Sequence, residues 1–156
     1  MKLIVISDSH GNSLGIDKLF EKYSFDYLIF LGDGLKDLGL YANMNNVIAV
    51  SGNCDMFAEE PAERIFNADG KLILITHGHK FGVKSTLNHL KAKALEEKCD
   101  IALYGHTHIQ NIENWHNIWI ANPGSFKILN NNTCSALEIN IEEGKIDIRT
   151  IWIDIN

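Results

Sequence analysis

The chain has 156 residues, 46% of them hydrophobic and 22% charged, with 20 acidic against 14 basic side chains for a net charge of -6. That length suits one domain able to bury most of its unfolded surface, with the ordinary balance of a globular protein. The acidic excess argues against long nucleic acid as a partner. Arg64 and Arg149 are the only arginines, so a phosphate bound here would draw positive charge from a metal rather than from guanidinium forks.

Cys54, Cys99 and Cys134 are odd in number and far apart, which fits neither a disulfide framework nor zinc-finger spacing. Reduced thiols suit the cytoplasm, the expected compartment. The apolar opening is cut off after a few residues by Ser7-Asp8-Ser9-His10, too soon for a secretory core. No apolar run approaches the ~20 residues of a membrane span, so no membrane partner is expected.

Lys2 to Ile6 is a continuous branched apolar run, as in a strand buried on both faces. A polar loop, Ser7 to Asn12, follows, and Ser13 is expected to cap a helix. The helix places Ile16, Leu19, Phe20 and Tyr23 at i, i+3, i+4 and i+7. Residues 27–31 predict a second buried strand ending in Gly32-Asp33-Gly34. A short helix over 35–42 then leads to a strand over 47–50, which ends in Ser51-Gly52-Asn53-Cys54-Asp55. Strand, polar loop and helix in repetition predict a parallel sheet with its loops gathered at one edge.

Pro61 marks a break. Residues 64–67 and 71–75, joined through Asp69-Gly70, predict a hairpin whose second arm ends in Thr76-His77-Gly78-His79. A helix over 85–98, with apolar Leu87, Leu90, Ala94 and Leu95, precedes the buried run Ile101-Ala102-Leu103. From Ile112 the pattern is all-β: a strand over 117–121 ends in Asn122-Pro123-Gly124-Ser125. Strands over 135–141 and 145–152 join through Glu142-Glu143-Gly144. In the last strand Ile146 and Ile148 are expected on one face, with Asp147, Arg149 and Asp154 on the other. The expected architecture is one α/β domain over 1–156, with two sheets, the first mainly parallel and the second partly antiparallel, and helices outside.

The chemistry gathers at strand ends. Tyr104-Gly105-His106-Thr107-His108 follows one apolar run, and in an extended segment residues i and i+2 point the same way. Both rings could therefore face one ligand, although a single histidine there is more often a hydrogen-bonded structural residue. Asp8 with His10, Gly32-Asp33-Gly34, Gly52-Asn53 and His77 with His79 each read singly as a cap, a turn or surface polarity. Chance supplies one or two such ends, hardly five in succession. Carboxylate, imidazole and amide oxygen without clustered thiolate suit divalent ions such as Mn, Fe or Zn. Asp8, His10, Asp33, Asn53, His77, His106 and His108 are too many for one tetrahedral zinc. Two ions about 3.5–4 Å apart need a bridging carboxylate, and Asp33 is central in the series.

The ordered series Asp8-x-His10, Gly32-Asp33, Gly52-Asn53-Cys54-Asp55, His77-Gly78-His79 and Gly105-His106-Thr107-His108 resembles the calcineurin-like metallophosphoesterase superfamily. Asn122-Pro123-Gly124-Ser125 and the short length are most similar to its small prokaryotic phosphodiesterase branch. The resemblance covers essentially the whole chain and implies a four-layer αββα sandwich, two β-sheets flanked by helices. It implies one metal on Asp8, His10, Asp33 and His108, and another on Asp33, Asn53, His77 and His106. It also implies hydrolysis of phosphate esters, foremost diesters, by a hydroxide bridged between two divalent ions. Mn is expected first; Fe, Zn, Ni and Co also tolerate this ligand set. The expected partner is a small phosphoester substrate, with a homo-oligomer possible.

The chain departs from the family at one position. Many members carry a histidine after the motif asparagine as general acid, and here Cys54 stands beside Asn53. A thiol of ordinary pKa near ~8.5 is a poor substitute for imidazole, so Cys54 reads as a weak acid or as a small packing residue. His79 is the other candidate acid, or a partner to the ligands. Asp37 and Asp55 read as capping residues or supports for the ligands. His89 and His116 read as solvated or structural, and Trp115, Trp119 and Trp152 as core or interface. Two alternatives stand beside the diesterase: a phosphatase, nucleotidase or nuclease with the same site, and a protein-binding scaffold of the kind a retromer-coat relative provides. Scaffold relatives depart from the ligand set, whereas every position of it is occupied here by a competent residue.

Overall fold

The computed structural model describes residues 1–128 and 132–156. The first half of the chain folds into strand β1 (Lys2–Ile6), helix α1 (Ser13–Lys22), β2 (Tyr27–Phe30), a 3-10 helix over Leu35–Asn43 and β3 (Val47–Ala49). Next come β4 (Glu63–Ala68), β5 (Lys71–Thr76), a 3-10 turn over His79–Phe81, helix α2 (Asn88–Glu96) and β6 (Ile101–Leu103). The chain then runs through β7 (Gln110–Trp115), β8 (Ile118–Pro123), β9 (Thr133–Glu142) and β10 (Lys145–Asp154). Among the described residues no helix is long and apolar enough to cross a membrane.

Two five-stranded mixed sheets form, ordered β10-β9-β1-β2-β3 and β4-β5-β6-β8-β7. β1, β2 and β3 run parallel, as do β5, β6 and β8. The remaining pairings are antiparallel. The sheets stack as an α/β sandwich because the central strands β1, β2, β5 and β6 are apolar on both faces, which only a covered sheet can satisfy. Along β1, Leu3 and Val5 enter the core between the sheets, with Ile73 and Ile75 of β5 and Ile101 and Leu103 of β6. The alternate residues Ile4 and Ile6 pack outward on Ile16 and Leu19 of α1. On the other sheet Leu74 and Ala102 pack on Leu90 and Ala94 of α2.

Several local expectations are adjusted. Asn12, not Ser13, caps α1: its side-chain oxygen accepts from the Gly15 N–H at 2.8 Å, while its amide donates to the Phe126 carbonyl at 2.7 Å. α2 starts at Asn88, later than the apolar spacing suggested, because Ser85 and Thr86 are held in turns whose N–H groups donate to the Gly82 carbonyl at 2.9 and 3.2 Å. The strand expected over 117–121 begins at Ile118, since His116 and Asn117 take φ 49 and 64 and form the tight turn of the β7–β8 hairpin. Asp154 shares the parity of Ile146 and Ile148 rather than that of Asp147 and Arg149. Strand β10 changes its buried face along its length: Ile146 and Ile148 enter the core between the sheets, and Ile151 and Ile153 the core under α1. The C-terminal hairpin joins the first sheet, where β9 pairs with β1, and not the second sheet that precedes it in the chain. Trp115 and Trp119 pack on the cores; Trp152 is 52% exposed.

Candidate metal centre

The ligand candidates lie where β1, β2, β3, β5 and β6 end, and the parallel ladders continue past the strands into the loops. The Asp8 N–H donates to the Gly32 carbonyl at 2.9 Å, and the Gly105 N–H to the His77 carbonyl at 3.0 Å. Each chain then turns sharply. Five of the seven candidates, Asp8, His10, Asp33, His106 and His108, have φ between 44 and 66. Left-handed backbone at residues other than glycine costs about 1–3 kcal/mol each and gathers at functional sites. It also replaces the extended geometry expected for His106 and His108, so the two rings diverge instead of sharing a direction.

The side chains form two adjoining groups: Asp8, His10 and His108, and Asp33, His77 and His106. In the first, Asp8 Oδ1 lies 3.0 Å from His108 Nε2 and 3.7 Å from His10 Nε2, and the two imidazole nitrogens are 3.4 Å apart. In the second, His77 Nε2 lies 3.3 Å from Asp33 Oδ2, 3.2 Å from His106 Nδ1 and 3.1 Å from Asn53 Oδ1. Asn53 thus joins the second group. Asp8 Oδ1 links the groups, 3.9 Å from His77 Nε2.

The donor set fits a cation. His77 Nδ1 sits 2.8 Å from the Leu31 carbonyl, an acceptor only, so Nδ1 carries a hydrogen and Nε2 is turned inward. There Nε2 meets the Asp33 carboxylate, the Asn53 amide oxygen and the His106 imidazole. Asp8 Oδ1 is fully buried with no hydrogen-bond partner among the described residues, and its negative charge demands compensation. Burial alone would raise the Asp33 pKa. Hydrogen bonds from His77 and the Cys54 N–H (2.8 Å) outweigh it and hold the carboxyl well below the usual range. Burial would likewise lower His77, but Asp33 and Asp8 raise it; a field that favours a proton there also favours a divalent ion. His106 lies lower than an ordinary imidazole, through burial and then His77.

A ring of supports fixes these ligands. Asp55 accepts from four backbone N–H groups, those of Asp33, Gly34, Leu35 and Gly52, at 2.7–2.9 Å, and so clamps two ligand loops together. Asp37 accepts from Ser9 Oγ at 2.6 Å and the Gly11 N–H at 2.7 Å. Both thus hold the ligand loops, and of the two roles expected for them Asp37 takes the support and not the cap. Asn122 donates to the Gly105 carbonyl and Thr107 Oγ1, each at 3.0 Å, and Ser125 Oγ donates to the Asp8 carbonyl at 2.9 Å. Ser7 was missed in sequence: its hydroxyl donates to Asp8 Oδ2 at 2.6 Å, and the His106 N–H donates to the same oxygen at 3.1 Å, which turns Oδ1 toward the histidines. Only its place beside Asp8 hinted at this. Gly52 and Gly105 are required by close approach, since a Cβ would lie 2.1 Å from Asp33 Oδ1 and 2.0 Å from Ser7 Oγ respectively.

Cys54 is exposed, which removes its reading as a packing residue. A hydrogen bond to Asp33, then burial and the carboxylates of Asp33, Asp55 and Asp8, push its thiol pKa up. His79 belongs to neither group, with its ring centre 5.4 Å from that of His77. Its Nδ1 is buried without a partner among the described residues, and burial followed by His77 and Lys80 lowers its pKa. His89 and His116 are exposed and apart from the centre.

Comparison with known proteins agrees with this geometry. The calcineurin-like phosphoesterase superfamily domain matches residues 1–144, and the chain belongs to that superfamily. Over 130 residues it is 31% identical to a probable metallophosphoesterase, YsnB, of Bacillus subtilis, covering 82% of this chain and 76% of that one. It is 30% identical to the phosphodiesterase YfcE of Escherichia coli, covering 82% and 80% of the two chains. A Streptococcus pneumoniae structure described as a predicted phosphoesterase superposes with a TM-score of 0.80 at 26% identity, over 96% of this chain and 88% of the other. Vacuolar Protein Sorting 29 of Cryptosporidium parvum shares the fold with a TM-score of 0.71 at 17% identity, over 98% and 97%.

Proposed function

We propose that this metallophosphoesterase is a phosphodiesterase working on small phosphate diesters with two divalent ions, Mn first among them. Asp8, His10, Asp33 and His108 would hold one ion; Asp33, Asn53, His77 and His106 would hold the other. Bound there, such ions would supply between them the hydroxide that attacks phosphorus and would offset the charge gathering on the phosphoryl oxygens. The reading is carried by the buried Asp8 Oδ1, without a hydrogen-bond partner among the described residues and facing three histidine nitrogens within 3.9 Å.

The chain's own part is positioning. Asp33 stays ionised at neutral pH, so it can bridge without first losing a proton. His77 is held in one tautomer by the Leu31 carbonyl. Asn53, with Oδ1 turned to the ligands, donates through Nδ2 to Cys54 Sγ at 3.4 Å and leaves its second Nδ2 hydrogen for a phosphoryl oxygen of the substrate. Cys54 and His79 are the candidate proton donors to the departing oxygen. A thiol raised in pKa is a feeble acid, and a histidine lowered in pKa holds a proton less than an ordinary imidazole does. Esters with good leaving groups are therefore expected to be cleaved far better than alkyl esters.

The test is hydrolysis of bis(p-nitrophenyl) phosphate by chelated protein refilled with single metals, with p-nitrophenyl phosphate as the monoester control. Activity should vanish on chelation and return with Mn, and Asp33→Ala should lower it by at least about 10³-fold. Activity that survives exhaustive chelation or Asp33→Ala would sink the two-ion reading, and preference for the monoester would make the protein a phosphatase.

A further inference from the structure

A cavity of about 740 Å³ opens directly beside the centre, with His10 and Asp33 in its wall. Its other walls include Leu35, Met56, Ala58 and Cys54, with the charged Lys36, Asp55 and Glu60. Met56 is 76% exposed and its neighbour Phe57 95% exposed. Phe57 also has φ 63, a left-handed backbone that is a genuine outlier for a bulky residue. The segment that carries Asn53 thus holds two large apolar side chains out in water, at the mouth of a polar centre. Exposed apolar side chains gathered in this way mark contact surfaces.

We infer that this cavity seats a planar aromatic substituent of the phosphodiester, held against Met56 and Leu35. The inference rests on the phosphodiesterase reading and names the class of substrate within it. A phosphoryl group seated on ions that His10 and Asp33 would hold directs one substituent along the wall those residues share with Met56. The part of the wall made by Met56, Leu35 and Ala58 is thioether and aliphatic, a soft surface that packs well on a ring face. Its charges do not oppose a neutral ring: the Asp55 carboxylate is committed to four backbone donors, and Lys36 and Glu60 carry opposite signs. The wall has no arginine, so a second phosphate would find no bidentate partner. Several hundred Å³ also matches the size of small-molecule sites.

The experiment compares equilibrium binding of inorganic phosphate, methyl phosphate and phenyl phosphate to the Mn-loaded full chain by titration calorimetry. Phenyl phosphate should bind about tenfold tighter than methyl phosphate, a difference of about 1.4 kcal/mol. Met56→Ser and Leu35→Ser should each cut that preference, and the double variant should abolish it, with inorganic phosphate as the reference in every case. Equal binding of the two esters, or a preference that survives the double variant, overturns the inference. Sedimentation of the same samples reads the competing occupant. If the parent is a dimer that Met56→Ser and Phe57→Ser disperse, with the ester preference unchanged, the surface belongs to a second copy of the chain. Failure of the underlying reading looks different: no binding of inorganic phosphate and no hydrolysis of bis(p-nitrophenyl) phosphate.

Discussion

At the scale of single residues, the centre depends on side chains that would not touch an ion themselves but hold the residues that would. Ser7 donates to one oxygen of Asp8 and so aims the other. Ser7→Ala should weaken Mn affinity about 10–100-fold, the usual loss for a removed support, with little change in melting temperature; unchanged affinity in a metal titration would show that the His106 N–H suffices alone. Cys54 makes a second case. The hydrogen bond to Asp33 is the largest of the influences that raise its pKa. At any given pH its thiolate fraction is therefore smaller than that of free cysteine. In chelated protein, iodoacetamide should alkylate Cys54 more slowly than free cysteine at pH 8, with a rate midpoint displaced to higher pH, and Asp33→Asn should move that midpoint back down. Cys99 and Cys134 are buried, so the reaction reports on one thiol.

At the scale of elements, parallel strands place their ends at one edge, and short backbone ladders carry that order into the loops. Away from the centre, β9 is tied to its neighbours by Glu138, which lies 3.0 Å from Lys2 Nζ on β1 and 2.5 Å from Arg149 Nη2 on β10. Burial alone would raise its pKa, but hydrogen bonds from Lys2, Asn140 and Arg149 lower it from the ordinary 4.5. A carboxyl with a depressed native pKa stabilises the fold above its unfolded pKa and loses that contribution as pH falls through the native value. Glu138→Gln should thus cost roughly 1–2 kcal/mol at pH 7 in urea unfolding. The difference from the parent should shrink below about pH 4.5. A cost that stays constant down to pH 3 would assign the effect to packing.

For the whole molecule, the centre sits where the two sheets meet, with Asp8, His10, Asp33 and Asn53 on loops of one and His77, His106 and His108 on loops of the other. An ion held by both groups couples the sheets. Mn at about a hundredfold over its Kd should stabilise the native state by about 2.7 kcal/mol. For a chain of this size that corresponds to a rise in melting temperature of roughly 5–10 °C over chelated protein. No shift in a scanning calorimeter would mean that the carboxylates and imidazoles do not bind the ion in the native state.

Much of this was open to reading in the linear chain because it depends on local chemistry. Runs such as Leu3 to Ile6 and Leu28 to Phe30 are apolar at every position, which water permits only in covered strands. Polar residues set between such runs must then lie at strand ends, and their types name the ions they suit. Tertiary structure decided the rest. Membership of the C-terminal hairpin in the first sheet depends on β9 pairing with β1 across most of the chain, a register that no local pattern encodes. The split of His106 and His108 between two groups follows from φ values of 66 and 61, imposed by the hydrogen bonds that brace their loop. Ser7, Gly52 and Gly105 matter only because distant segments pack against them, and a serine or glycine in a polar loop carries no mark of what it will touch. Five polar strand ends together, and not the histidine pair alone, pointed to a ligand site; the resemblance had assigned His106 and His108 to separate ions, and the folded loop supplies the backbone geometry that sets them in separate groups.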